Sequence, residues 1–165
     1  MIEVCAECGF RGSDWDVDKA LQCLATLPDA WAAITTGLDA VDLGRRARSD
    51  CWSIAEYTDH VRETTFGMRF LIDVAVDTPG TDLGSPPEPR FDATPRTIDV
   101  EDALRRFRVE VELLVARATA LDPQHWSSTV VVDAQDVDVL WILRHAVHDL
   151  SHHLRDIEAI RTSAS

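Results

Sequence analysis

Long apolar runs are missing from this sequence. None approaches the ~20 residues that a membrane span needs, which excludes a membrane-spanning helix. The first residues, Met1-Ile2-Glu3-Val4-Cys5, have neither the basic nor the apolar region of a signal peptide, so the expected location is cytoplasmic. Positive charge is scarce: 16 Lys and Arg face 29 Asp and Glu, for a net charge of -13. Basic residues cluster only at Arg45-Arg46-Ala47-Arg48 and Arg105-Arg106-Phe107-Arg108. A phosphate backbone or an anionic bilayer would be repelled by such a chain, so neither nucleic acid nor membrane is an expected partner. Lysine occurs once, at Lys19, and arginine supplies the remaining basic residues, a bias typical of a GC-rich genome. Cysteine is sparse, at Cys5, Cys8, Cys23 and Cys51, and without an export signal these are expected to be free thiols.

What the sequence does have is helical period. Val17, Ala20, Leu21 and Leu24 recur at steps of three and four from Asp16 onward. Pro28 is expected to open a second stretch, continued by Trp31, Ile34, Leu38 and Val41 and ended by Gly44. Ser53-Ile54-Ala55-Glu56 matches a capping box and starts the next helix, which should run to about Asp77 before Pro79-Gly80. Residues 79–98 are rich in proline and read as a long loop. Asp99 caps a third helix over about 100–121, with Leu104, Phe107, Val111, Leu114 and Ala118 as its stripe. Ser128 to Val132 is β-branched and suits an extended segment, followed by a turn at 133–136. Asp138 caps the last helix, about 139–161. The fold class is all-α: a four-helix bundle domain over 16–165, behind an N-terminal tail over 1–15.

The last helix is unusual. Leu143, Val147, Leu150, Leu154 and Ile157 form one stripe. The opposite side, which should be a solvated face of charges, carries Trp141, His145, His148 and His152. His148 and His152 are four residues apart, which sets both imidazoles on one face at a spacing that suits one metal ion. Helix two has a matching second stripe, with Trp52, Glu56, His60 and Gly67. If the two stripes face each other, His60 completes a three-histidine site, His60, His148 and His152, with an open coordination position as in catalytic centres. Trp52 and Trp141 would border the cavity. His145 would lie near the site, and His153 would point away from it. Glu56 has two roles open to it, the capping box or the orientation of His60 one turn on.

Two motifs carry a family resemblance. The stretch Trp52-Ser53-Ile54-Ala55-Glu56-Tyr57-Thr58-Asp59-His60-Val61 resembles the helix-two motif of the DinB/YfiT-like superfamily. His148-Asp149-Leu150-Ser151-His152-His153-Leu154-Arg155-Asp156-Ile157 resembles its C-terminal histidine motif. The resemblance implies a divalent metal on His60, His148 and His152. Zinc is the first choice, and nickel, iron and manganese also accept imidazole. It also implies the chemistry of relatives that include mycothiol- and bacillithiol-dependent S-transferases and a maleylpyruvate isomerase. A low-molecular-weight thiol such as mycothiol and a small electrophile would then be the partners, with a homodimer as the assembly. The alternative is a non-catalytic metal- or ligand-binding protein related to stress. Cys5-Ala6-Glu7-Cys8-Gly9 resembles a zinc knuckle, but a structural zinc needs four ligands and the sequence offers no second Cys-x2-Cys. These residues are therefore expected to be a tail with two exposed thiols.

Overall fold

The computed structural model describes residues 2–85 and 96–162, so most of the proline-rich stretch of the long loop lies outside the described residues. Four long helices carry the fold: α1 Val17–Thr35, α3 Ile54–Asp77, α4 Val100–Thr119 and α5 Val139–Thr162, with a short α2 at Ala40–Gly44. α1 packs on α4 and α5, and α3 packs on the same two helices, giving a four-helix bundle. Each long helix turns an apolar face inward, and Leu24, Trp31, Ile72, Phe107, Leu114, Ile142, Leu143, Leu150 and Ile157 are its fully buried large apolar residues. Trp31 meets Phe107 edge to face at the α1–α4 contact, with ring centroids 5.9 Å apart. Arg69–Glu110 (3.1 Å) and Arg117–Asp73 (2.6 Å) link α3 to α4 at the rim. None of the described helices is long and apolar enough to cross a membrane.

The helix starts follow their caps. Asp16 accepts from the Lys19 amide, Asp99 from that of Asp102 and Asp138 from that of Trp141 (2.8, 2.9 and 2.7 Å). Ser53 and Glu56 close a reciprocal capping box on α3. Glu56 is fully buried, and its carboxylate also receives Arg46 from the preceding loop. That ion pair holds Glu56 well below the usual carboxylate range, at about 2: burial opposes the charge, and hydrogen bonds from Arg46 and Ser53 overcome the opposition.

Two expectations are corrected. Pro28 does not open a new helix; it lies buried inside α1. The apolar stripe Ala20, Leu24, Leu27, Trp31, Ile34 runs unbroken past it, and burying that stripe outweighs the one amide that proline cannot donate. The chain instead breaks at Gly37, whose φ of +82° suits glycine, and Val41 is left 76% exposed.

Between α4 and α5 the chain forms a hairpin, β1 Thr129–Val132 paired antiparallel with β2 Gln135–Asp138. Asp133 and Ala134 both have positive φ at its two-residue turn, the geometry that matches strand twist. The start of the long loop adds to the sheet edge: Leu83 donates to Val131, and Val131 to Thr81, both at 2.9 Å.

The N-terminal residues are folded onto α5. Val4 and Arg11 form an antiparallel bridge around a turn, with Gly9 at φ +74°. Phe10 is buried and stacks on His148, with ring centroids 4.7 Å apart. Arg144 donates to the Trp15 carbonyl (2.7 Å) and Arg155 to that of Cys8.

Candidate metal centre

The periphery of α5 decides which of its side chains face which neighbour. Its buried residues Val139, Ile142, Leu143, Ala146, Val147, Leu150 and Ile157 define the core direction. At about 100° per residue, Asp149 and His153 flank that direction on one side, while His148 and His152 point away from it. The structure accordingly brings His60 together with Asp149 and His153: one ligand-capable atom from each lies within 4.8 Å of the others. His60, His148 and His152 do not assemble as one set. The three-histidine expectation differs from the structure by one residue of helical phase. The leucine stripe and the histidine stripe are not the only faces of α5, and the boundary between them is what meets α3.

The His60 group is well determined by its surroundings. Trp52, buried at the start of α3, lies over the His60 ring with centroids 4.6 Å apart. Thr64 contacts His60 Nε2 through its hydroxyl at 3.3 Å. His153 faces Asp149 Oδ1 through Nε2 (3.4 Å) and binds Asp156 Oδ2 through Nδ1 (2.9 Å). Burial lowers the pKa of His60, which keeps the imidazole neutral and its lone pair available. For His153, burial also opposes the charge, but Asp149 and Asp156 outweigh it and raise the pKa to about 9. Asp149 is held below its ordinary value, its burial being overcome by His153.

These residues fit a divalent metal. Two imidazoles and a carboxylate form a donor set known for divalent first-row ions. Asp149 Oδ2 is buried without a hydrogen-bond partner, an arrangement that costs free energy unless something binds there. Asp156 on His153 Nδ1 is the carboxylate–histidine relation that fixes the tautomer of a metal ligand. The sequence pattern sets His153 pointing away from the site and gives Asp149 no role, yet these two share the four-residue spacing of His148 and His152 and are the pair that meets His60.

The remaining predicted residues have other partners. Glu56 is taken up by Ser53 and Arg46. His145 stacks on Trp141 (centroids 4.7 Å apart) and bonds to Glu3 at 2.9 Å. Burial opposes the charge on His145, yet Glu3 raises its pKa. His148 also bonds to Glu3, at 2.7 Å. With His152 it meets Cys5 and Cys8, whose sulfurs complete a second compact group. The Cys5 thiol is pulled down to about 6 by the Cys8 backbone and by His148.

A cavity of about 640 Å³ opens beside the His60 group. α3 lines it with Thr64, Gly67 and Met68, the hairpin with Val132 and Val137, and α5 with Trp141. A Cβ on Gly67 would meet nothing within 4 Å, so this glycine leaves the wall open. Thr64 joins cavity and donor set, since it lines the one and touches His60 of the other.

A four-helix bundle with imidazole and carboxylate donors converging from facing helices defines a class of metal-binding bundle proteins. The family model of the DinB superfamily matches residues 19–157, and the chain belongs to that superfamily. Among solved structures it is similar to YfiT from Bacillus subtilis, described as a probable metal-dependent hydrolase with an unusual four-helix bundle topology. The TM-score is 0.78 at 14% identity, covering 98% of this chain and 90% of that one. No curated protein matches the sequence.

Proposed function

We propose that the protein is a divalent-metal-dependent enzyme that holds its ion on His60, Asp149 and His153 and joins a low-molecular-weight thiol to a small, largely apolar electrophile. The observation that carries this reading is the juxtaposition of a half-buried two-histidine, one-carboxylate donor set with an apolar cavity, through Thr64. A bound divalent ion supplies Lewis-acid activation to a nucleophile or to a polarised substrate group. His60 offers a neutral imidazole and Asp149 a standing negative charge. His153 gives up its proton on loading, with Asp156 holding its orientation. Trp52 covers His60 and keeps bulk water from that side. The cavity walls suit an apolar substrate body, and His145 adds a polar group at the margin.

The thiol rests on the motif resemblance. YfiT's description as a probable hydrolase makes ester or amide hydrolysis the second reading. Metal-reconstituted protein should be assayed against mycothiol, bacillithiol and glutathione with small apolar electrophiles, and in parallel against uncharged esters. Metal-dependent thiol consumption that Asp149→Asn abolishes is the expected result. Metal-dependent ester cleavage without thiol consumption would establish the second reading. Absence of turnover in both assays, in protein shown to carry metal, would overturn both and leave a binding protein.

A further inference from the structure

We propose that Cys5, Cys8, His148 and His152 form a second metal centre, a closed Cys2His2 site for zinc that fastens the N-terminal segment to α5. It is independent of the His60 centre and of any catalytic role for that centre.

The donors are of the kind and spacing that structural zinc requires. Cys-x2-Cys sits on a turn closed by an antiparallel bridge, and His-x3-His lies on consecutive turns of a helix. The four ligand-capable atoms lie within 4.8 Å of one another. Cys5 Sγ and His152 Nδ1 are 3.8 Å apart. In a tetrahedral site with zinc–sulfur and zinc–nitrogen bonds of ordinary length, that edge measures about 3.6 Å. Hydrogen bonding alone gives a thiol and an imidazole no reason to gather with a second thiol and a second imidazole.

The turn is shaped for the purpose. Gly9 donates to the Cys5 carbonyl at 3.0 Å, and Cys5 to that of Phe10 at 2.9 Å. With Gly9 at φ +74°, the backbone folds so that both sulfurs face α5. His148 supplies an independent sign. Its Nδ1 is occupied by Glu3, which leaves Nε2 as the free coordinating atom, and Nε2 is buried without a hydrogen-bond partner. A carboxylate on the far nitrogen of a histidine is the usual support of a zinc ligand. Glu3 is thereby given a role that its place in a short N-terminal stretch does not suggest. Phe10 stacked on His148 shields the same group from one side.

Four protein donors leave no open position, so the centre is structural. Two thiolates with two imidazoles favour zinc over the harder divalent ions. Residues 5 and 8 lie at least 140 positions from 148 and 152 (148 − 8 = 140), so the ion would close almost the whole chain into one loop. Folding and zinc uptake would then be linked.

The test uses the full chain loaded with zinc and, separately, with cobalt(II). Wild type should bind two equivalents. Its cobalt form should show sulfur-to-cobalt charge-transfer absorption with strong tetrahedral bands, and X-ray absorption of its zinc form should report two sulfur neighbours per chain, an average of one per zinc over the two ions. Cys5→Ser with Cys8→Ser should lose one equivalent and the sulfur signature together, as should His148→Ala. Asp149→Asn should keep the sulfur signature, even if it abolishes the other centre. A wild-type cobalt spectrum without sulfur charge transfer would overturn the proposal, and that measurement needs no variant to fold. Full metal content in the double cysteine variant would overturn it as well.

Discussion

Glu56→Gln removes a charge from one of the most enclosed carboxylates in the protein while keeping its shape. The side chain is 2% exposed and faces Arg46, which is 9% exposed. Gln can still reach the Ser53 amide, so the cap is largely kept, and the loss falls on the ion pair. Breaking a buried pair from one side costs about 3–5 kcal/mol, and retention of the cap argues for about 3. An independent route gives the same size. A pKa of about 2, against an ordinary 4.5, corresponds to about 3 kcal/mol of stability at neutral pH. The sign follows from the depressed value: this stability is present above pH 4.5 and is lost as pH falls toward 2. By pH 3, about 2 of the 3 kcal/mol should be gone. Urea unfolding followed by circular dichroism, at pH 7 and pH 3, measures both quantities. The wild-type advantage over Glu56→Gln should be about 3 kcal/mol at pH 7, with a melting shift of about 6–12 °C, and about 1 kcal/mol at pH 3. A difference under about 1 kcal/mol at pH 7, or one that does not shrink in acid, would refute the reasoning. The consequence reaches the site, because the Arg46–Glu56 pair anchors the loop that sets Trp52 over His60.

Three further outcomes are expected. Phe10→Ala should lower stability by about 3 kcal/mol in metal-free protein, measured by urea unfolding in chelator, because Phe10 is buried between Trp15 and His148. In metal-free protein the stability due to His153 should be full below pH 6.5 and vanish as pH rises through about 9, and an imidazole NMR titration reads the midpoint directly. Metal binding at pH 8 should therefore release a proton, seen as a buffer-dependent heat by calorimetry. Gly67→Leu should fold with stability unchanged or raised by up to about 1 kcal/mol, since nothing crowds the site and glycine is a poor helix former. The same change should raise KM for an apolar substrate by narrowing the cavity.

Where local chemistry decides structure, the sequence could be read directly. Asp16, Ser53, Asp99 and Asp138 each start the helix that their side chains cap, and the stripe on α4 is the face that is buried. Pro28 misled because a local rule yielded to the burial of Trp31 and Leu27 on either side of it. Which residues gather around His60 was not legible because α5 carries two interleaved pairs at identical spacing, His148/His152 and Asp149/His153. Which pair meets α3 depends on how the helix is rotated in the bundle, a property of all four helices together. The N-terminal segment was invisible for a different reason. It has one large core residue, Phe10, and the side chains that dock it on α5, Arg144, His145, His148 and Arg155, lie near the other end of the chain.

The interleaving of those two pairs makes α5 a partition wall. Along six residues, from His148 to His153, neighbouring side chains open into different rooms. One room is a cleft of about 250 Å³ reached from the N-terminal side, lined by Cys8, Phe10 and His152. The other adjoins the apolar cavity between α3 and the hairpin. Thiol reagents and oxidants entering the first room meet Cys8 without passing the second. Rotation of the helix cannot improve one room's geometry without spoiling the other's, so the two constrain each other's rotational phase. A single-residue insertion in α5 just ahead of His148 would turn everything after it by about 100° and carry His148 and His152 into the places of Asp149 and His153, so the first room would lose both its histidines and the second would exchange its carboxylate for an imidazole.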